Sequence, residues 1–209
     1  MIIGITGLNG AGKTTVVEYL EKKSFHAYSL SDILRELLRK DGKPLTREGL
    51  IEKGNEIRKR NGNGILGEMI LERLQENSTH YVIDSIRHPE EVEALQSRED
   101  FLLVAVDAPT EVRFERMLER KREHETNYAD ILAFEKEELE NEEKNKEKLV
   151  AVAKMAHIVL KNDQELDVLY KKIDRMLADL SKKYILNSSS DDHFFIEIAQ
   201  VTAKQSHCL

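Results

Sequence analysis

Ile2-Ile3-Gly4-Ile5-Thr6-Gly7-Leu8-Asn9-Gly10-Ala11-Gly12-Lys13-Thr14-Thr15-Val16-Val17 decides the fold. Its first residues are apolar enough for a buried strand, its centre matches G-x-x-x-x-G-K-T, and Val16, Val17 and Leu20 begin a helical spacing. Strand, glycine-rich turn and helix in that order make a phosphate-binding loop, or P-loop. Glycines let the backbone turn its N–H groups inward and approach phosphate oxygens closely. The start of a helix adds partial positive charge at the same place. Lys13 would neutralise the β- and γ-phosphates of a nucleoside triphosphate, and the Thr14 hydroxyl would help hold Mg²⁺. The candidate nucleotide-binding residues are therefore Gly7, Asn9, Gly10, Ala11, Gly12, Lys13, Thr14 and Thr15, with ATP and Mg²⁺ as expected cofactors.

Outward from this loop, short apolar runs alternate with longer helical patterns, which predicts βαβ units and a parallel sheet. The expected strands are Ile2–Thr6, Phe25–Ser29, Tyr81–Asp84, Phe101–Asp107 and Ala156–Leu160. Phe101 to Val106 is apolar on both faces, as a strand covered by helices on each side requires. Ile33, Leu34, Leu37 and Leu38 form one helical stripe, and Val112, Met117 and Leu118 belong to another. Asp41-Gly42 with Pro44 ends the second helix, Asn61 to Gly64 interrupts a helical stretch that resumes at Ile65, and Pro89 suits the first turn of a helix. The expected fold is a three-layer α/β/α P-loop NTPase with a five-stranded parallel sheet, a helical lid and a C-terminal helical tail.

The chain has 209 residues, of which 40% are apolar and 34% charged, enough for one domain and a tail. Its net charge of −7 speaks against a non-specific grip on nucleic acid. A lone cysteine, Cys208, excludes an internal disulfide or a multi-cysteine zinc site within these residues. No apolar run approaches a membrane span and no signal peptide follows Met1, so a cytoplasmic location without membrane contact is expected.

Beyond the P-loop, three constellations carry chemistry. Asp32 follows the second strand, where a carboxylate could orient or deprotonate an acceptor hydroxyl or, alternatively, cap the next helix. Val82-Ile83-Asp84 is a hydrophobic strand ending in a candidate Mg²⁺-organising carboxylate, and Arg87 just after it could hold an acceptor phosphate or make a surface ion pair. Arg113, Arg116 and Arg120 share a helix face after the fourth strand, placed either to swing over a transferring phosphoryl group or to remain solvated. Glu135–Lys148 reads as a solvated helix face or an acidic lid.

With these residues named, residues 1–180 resemble the nucleoside monophosphate kinase and dephospho-CoA kinase group. Leu30 to Arg35 is similar to the acceptor segment of adenylate kinases, which implies that Arg35 binds the acceptor phosphate. Asp32 resembles the aspartate that dephospho-CoA kinases use near the acceptor hydroxyl. Asp84–Arg87 resembles the group's D-G-x-P-R segment, with Ser85 and Ile86 in place of glycine and proline. Glu119-Arg120 falls where the lid of such kinases begins, but Glu135–Lys148 lacks the second lid arginine. The resemblance implies Lys13, Asp32 and Arg120 as catalytic residues, Asp32, Arg35, Arg87 and Arg116 as acceptor-binding residues, and Thr14 and Asp84 as the metal pair.

Past an expected linker over residues 181–191, Asp192 to Ala199 and Ala203 to Leu209 resemble the opening helix of deoxycytidylate deaminases. The zinc motifs of that family do not occur in this sequence. The resemblance implies that residues 192–209 start a deaminase-like domain attached to the P-loop domain. Two functions are thus expected: a phosphotransferase acting on a small phosphate- or hydroxyl-bearing acceptor, or a nucleotide-sensing module that regulates the deaminase. A GTPase switch is weaker, because Lys161-Asn162-Asp163 does not match N-K-x-D.

Overall fold

The computed structural model describes residues 1–74, 80–122 and 148–187, and for 120–122 and 183–187 the backbone alone. The chain divides into two compact units, Met1–Asp163 and Gln164–Leu209. Within the first unit the elements run β1 (Ile2–Thr6), α1 (Lys13–Lys22), β2 (Phe25–Ser29), α2 (Leu30–Lys40), α3 (Arg47–Asn61), α4 (Ile65–Leu71), β3 (His80–Asp84), α5 (Pro89–Leu95), β4 (Phe101–Asp107) and α6 (Thr110–Arg122). A helix over residues 148–154, α7, then leads to β5 (Ile158–Lys161).

All five strands are parallel, in the order β2-β3-β1-β4-β5. β1 is central because every one of its residues is buried, as a strand covered on both faces demands. From β1 the chain steps out to β2, returns to β3 beside β1, and then crosses to β4 on the other side. The direction of winding reverses at β1, which opens a crevice at its carboxyl end. The P-loop starts there.

One core cluster joins Ile2, Ile83 and Leu103 of the sheet to Leu30, Ile33 and Leu34 of α2, Leu66 and Ile70 of α4, Val92 and Leu95 of α5 and Val152 of α7. Burying each of these aliphatic side chains contributes about 1.5–3 kcal/mol against leaving it in water. α1 packs against β1, β2 and β3 and buries Val16 and Leu20, which lie outside that cluster. The helix ends follow the sequence signals: α2 stops before Gly42, at φ 66°, and α3 stops before Gly62, at φ 95°.

β1, β2 and β4 span the expected residues, and β3 begins one residue early, at His80. β5 is displaced to Ile158–Lys161, because Ala156 still donates its N–H to the Ala153 carbonyl at the end of α7. The second unit contains α8 (Leu166–Asn187), whose buried residues Leu169, Ile173, Met176, Leu177 and Leu180 repeat at helical spacing. No glycine or proline interrupts it, so the helix continues through residues 181–187, where a linker is expected. The division between units also falls at Asp163/Gln164 rather than at residue 180. The acidic stretch 135–147 and the deaminase-like tail 192–209 lie outside the described residues.

Candidate nucleotide-binding site

The P-loop turns through Gly7, Gly10 and Gly12 at φ 140°, 76° and 98° and delivers the chain into α1. α1 has neither a capping side chain nor an acidic residue in its first turn, so nothing there neutralises its positive end. Lys13 Nζ donates to the carbonyls of Gly7, at 2.9 Å, and Leu8, at 3.0 Å, which holds the ammonium across the loop. Thr14 is exposed on the first turn of α1, and Thr15 beside it is half-buried.

The carbonyls of the loop are gripped from behind. Arg113 Nη1 donates to the Asn9 carbonyl at 3.2 Å, and Asn162 Nδ2, just past β5, donates to the Ala11 carbonyl at 2.8 Å. A trans peptide sets its N–H antiparallel to its C=O. The amides of Gly10 and Gly12 are thereby directed away from α6 and from the loop after β5. Contact on that side is close enough to dictate glycine. A Cβ on Gly10 would lie 2.5 Å from the Arg113 carbonyl oxygen, and one on Gly12 would collide with Asn162 Nδ2.

Arg116, expected at the acceptor, donates to the Gly10 carbonyl at 3.5 Å and to Asn162 Oδ1 at 3.4 Å. Arg113 and Arg116 therefore both lie on the P-loop backbone. The side chain of Arg120 lies outside the described residues.

Asp84 ends β3 beside β1, and one of its oxygens accepts the Ser85 amide. Ser85 sits at φ 66° and accepts a hydrogen bond from Ser29 Oγ at 3.0 Å, linking the carboxyl ends of β3 and β2. A hydroxyl on Thr14 and a carboxylate on Asp84 are hard oxygen donors of the kind Mg²⁺ prefers.

Ser29, rather than Asp32, caps α2, its oxygen accepting from the Ser31 amide at 3.3 Å. The cap reading of Asp32 is corrected accordingly: β2 runs straight into α2, which puts the turn residue at 29 and Asp32 within the first turn. Asp32 pairs with Arg35 at 2.6 Å on the exposed side of that turn. Such an exposed pair holds its partners weakly, so both remain accessible to a ligand. Arg87 is exposed in the turn after β3.

The loop, Asp32, Arg35, Asp84 and Arg87 thus occupy one rim, formed by the carboxyl ends of β1, β2 and β3. The sequence reading missed Asn162, which it weighed as part of a guanine-reading segment, and Glu91, a fully buried carboxylate beside Arg87. His88-Pro89-Glu90-Glu91 does carry the three-residue spacing of a capping box. For Asn162 no local pattern exists.

Residues 3–145 match the family model described as AAA domain. The chain belongs to the AAA domain family. Among its relatives, this AAA-domain chain is 34% identical over 128 residues to a UPF0200 protein of Thermococcus gammatolerans, covering 58% of the chain and 67% of the relative. It is 29% identical over 189 residues to a UPF0200 protein of Methanococcus vannielii, covering 89% of the chain and 97% of the relative. Among solved structures, TT1252 from Thermus thermophilus superposes with a TM-score of 0.54 at 24% identity, over 86% of the AAA-domain chain and 97% of that one. Shikimate kinase from Acinetobacter baumannii, solved in complex with shikimate, gives 0.53 at 22% identity, over 85% and 93% of the two chains. The AAA-domain chain has a P-loop kinase-like α/β fold.

Proposed function

We propose that this chain is a Mg²⁺-dependent phosphotransferase that moves the γ-phosphoryl group of ATP to a small acceptor bearing a phosphate or a hydroxyl. The observation that carries the reading is the P-loop itself: an uncapped helix start, a lysine across the loop, and carbonyls of Asn9 and Ala11 held away from the ligand side. In this reading the amides of the loop and Lys13 take the β- and γ-phosphates, and Thr14 and Asp84 hold Mg²⁺, which supplies positive charge to the phosphate oxygens. Arg35 and Arg87 hold the acceptor's phosphate by forked hydrogen bonds. The acceptor oxygen attacks the γ-phosphorus as the bond to the ADP oxygen breaks. Where the acceptor is a hydroxyl, Asp32 takes its proton; where it is a phosphate, no proton needs to move. Arg116 keeps the loop in shape, and Arg120 is assigned to charge on the transferring group.

The rate advantage of such a site comes from positioning and charge neutralisation. Acceptors in scope are nucleosides, nucleoside monophosphates and dephospho-CoA. The surroundings are those of a cytoplasmic enzyme of nucleotide metabolism; among the described residues no helix is long and apolar enough to cross a membrane.

A second reading is a nucleotide sensor that regulates an attached deoxycytidylate deaminase-like domain. Two sequence features favour it: the resemblance of residues 192–209 to the opening of that family, and residues 135–148, which offer glutamates and lysines but no arginine. One assay separates the readings. ATP consumption by the purified protein is followed with nucleosides, nucleoside monophosphates and dephospho-CoA added in turn, with Lys13→Ala as the blank. Consumption that requires an acceptor supports the phosphotransferase. ATP binding without turnover supports the sensor, and loss of both rejects the two readings together.

A further inference from the structure

Glu91 is the most deeply buried acidic side chain among the described residues, at 0% exposure. A carboxylate survives such burial only when it is paired and fully hydrogen-bonded. Its Oε1 accepts from Arg58 Nη2 at 3.0 Å, in an ion pair whose side chains are 0% and 13% exposed. Its Oε2 accepts the backbone amides of Arg87, at 2.9 Å, and His88, at 3.1 Å.

Arg58 belongs to α3, so this carboxylate ties α3 to the turn that presents Arg87. Two further contacts arrive at the same place. Asn63, in the turn between α3 and α4, donates to Glu90 Oε1 at 2.8 Å. α4 seats its Gly67 so closely that a Cβ there would lie 2.8 Å from the Glu91 carbonyl oxygen. Three successive parts of the chain, α3, the turn after it and α4, thus converge on two residues of α5 and, through Glu91, on the amide of Arg87. The Arg87 guanidinium is meanwhile exposed. Its reach is open while its anchor is fixed.

The chemistry at the pair is specific. Glutamine at 91 would turn an NH₂ group toward the guanidinium or toward the two amides, donor against donor. Lysine at 58 would keep the charge but lose the planar fork.

We propose that Arg58 and Glu91 are positioning residues for the phosphate of the acceptor. They make α3, α4 and the Arg87 turn one rigid body, which fixes the place from which the Arg87 cation reaches the acceptor's phosphate. What Arg87 holds rests on the phosphotransferase reading; the tether does not.

The test uses the full chain with Arg58→Lys and Glu91→Gln, the first serving if the second fails to fold. Amide hydrogen exchange is measured by NMR without ligand. The Arg87 and His88 amides should exchange about tenfold faster in the variants, while those of Gly10 and Gly12 keep their rates. With whichever acceptor supports turnover, its KM should rise about tenfold, while kcat and the KM for ATP stay within about twofold. Unchanged exchange at Arg87 and His88 overturns the tether. A lowered melting temperature with an unchanged acceptor KM reduces the pair to a structural role and overturns the positioning. Should the unmodified chain turn over no acceptor at all, the phosphotransferase reading fails, and the exchange rates alone still decide the tether.

Discussion

Asn162 is buried and uses both ends of its amide, Nδ2 on the Ala11 carbonyl and Oδ1 for the Arg116 guanidinium. Replacing it with alanine strands a buried carbonyl, a loss of about 1–3 kcal/mol. Asn162→Ala should therefore lower stability by that amount and weaken Mg-ATP binding about tenfold, since the Gly12 amide would no longer be aimed. A denaturant titration and a nucleotide titration check the two effects, and full ATP affinity in the variant would remove Asn162 from the support of the loop. The contrast with Gly7–Thr14 explains what could be read in advance. Glycine, lysine and threonine at that spacing act on one another within a single turn, so the motif is visible in the string. Asn162 acts on a carbonyl 151 residues away, and no local spacing records such a contact. Glu91 was hidden for a related reason: on a short charged helix a glutamate reads as solvated until α3 supplies the arginine that buries it.

α2 shows the element scale most plainly. Its start is set by Ser29, whose oxygen caps the helix while its hydroxyl hydrogen goes to Ser85 at the end of the neighbouring strand. Ser29→Ala should cost about 1 kcal/mol through the cap, with Ser29→Thr recovering most of it. Equal stability of all three proteins would mean that the hydroxyl contributes nothing to the helix start. β1 and β4 came out residue for residue because each is an apolar run that ends where a turn begins. β5 did not, because Ala156 reads as the start of the run that ends at Leu160, and only the hydrogen bond from its N–H to the Ala153 carbonyl assigns it to the helix end. At residues 181–187, where a linker is expected, the chain is helical. A change in composition is not a helix breaker, and α8 continues until Asn187 without one.

At the scale of the whole molecule, net charge −7 coexists with an arginine- and lysine-backed loop, so anion binding here is a local arrangement and not a global attraction. Two buried histidines give the fold a pH signature. Burial, assisted by the nearby terminal amino group for His80 and by the Arg58 charge for His88, lowers both from 6.5 to about 4. Between those values the unfolded chain binds more protons than the folded one, so stability rises with pH. It is fully present above about pH 6.5 and is lost as pH falls toward 4, by up to about 1.4 kcal/mol per pH unit for each histidine. Glu36, held below its ordinary value by the forked hydrogen bonds of Arg73, adds to the loss at the acid end. Melting temperatures should thus be level above pH 7 and fall steadily from pH 6.5 to 4.5; a level profile across that range would mean that neither histidine is buried neutral. The decisive measurement is calorimetric titration of Mg-ATP into the full chain and into Lys13→Ala. A saturable heat that is absent from the variant is the expected result. No heat with the unmodified chain, or the same heat with both, would contradict a triphosphate cradle at Gly7–Thr14.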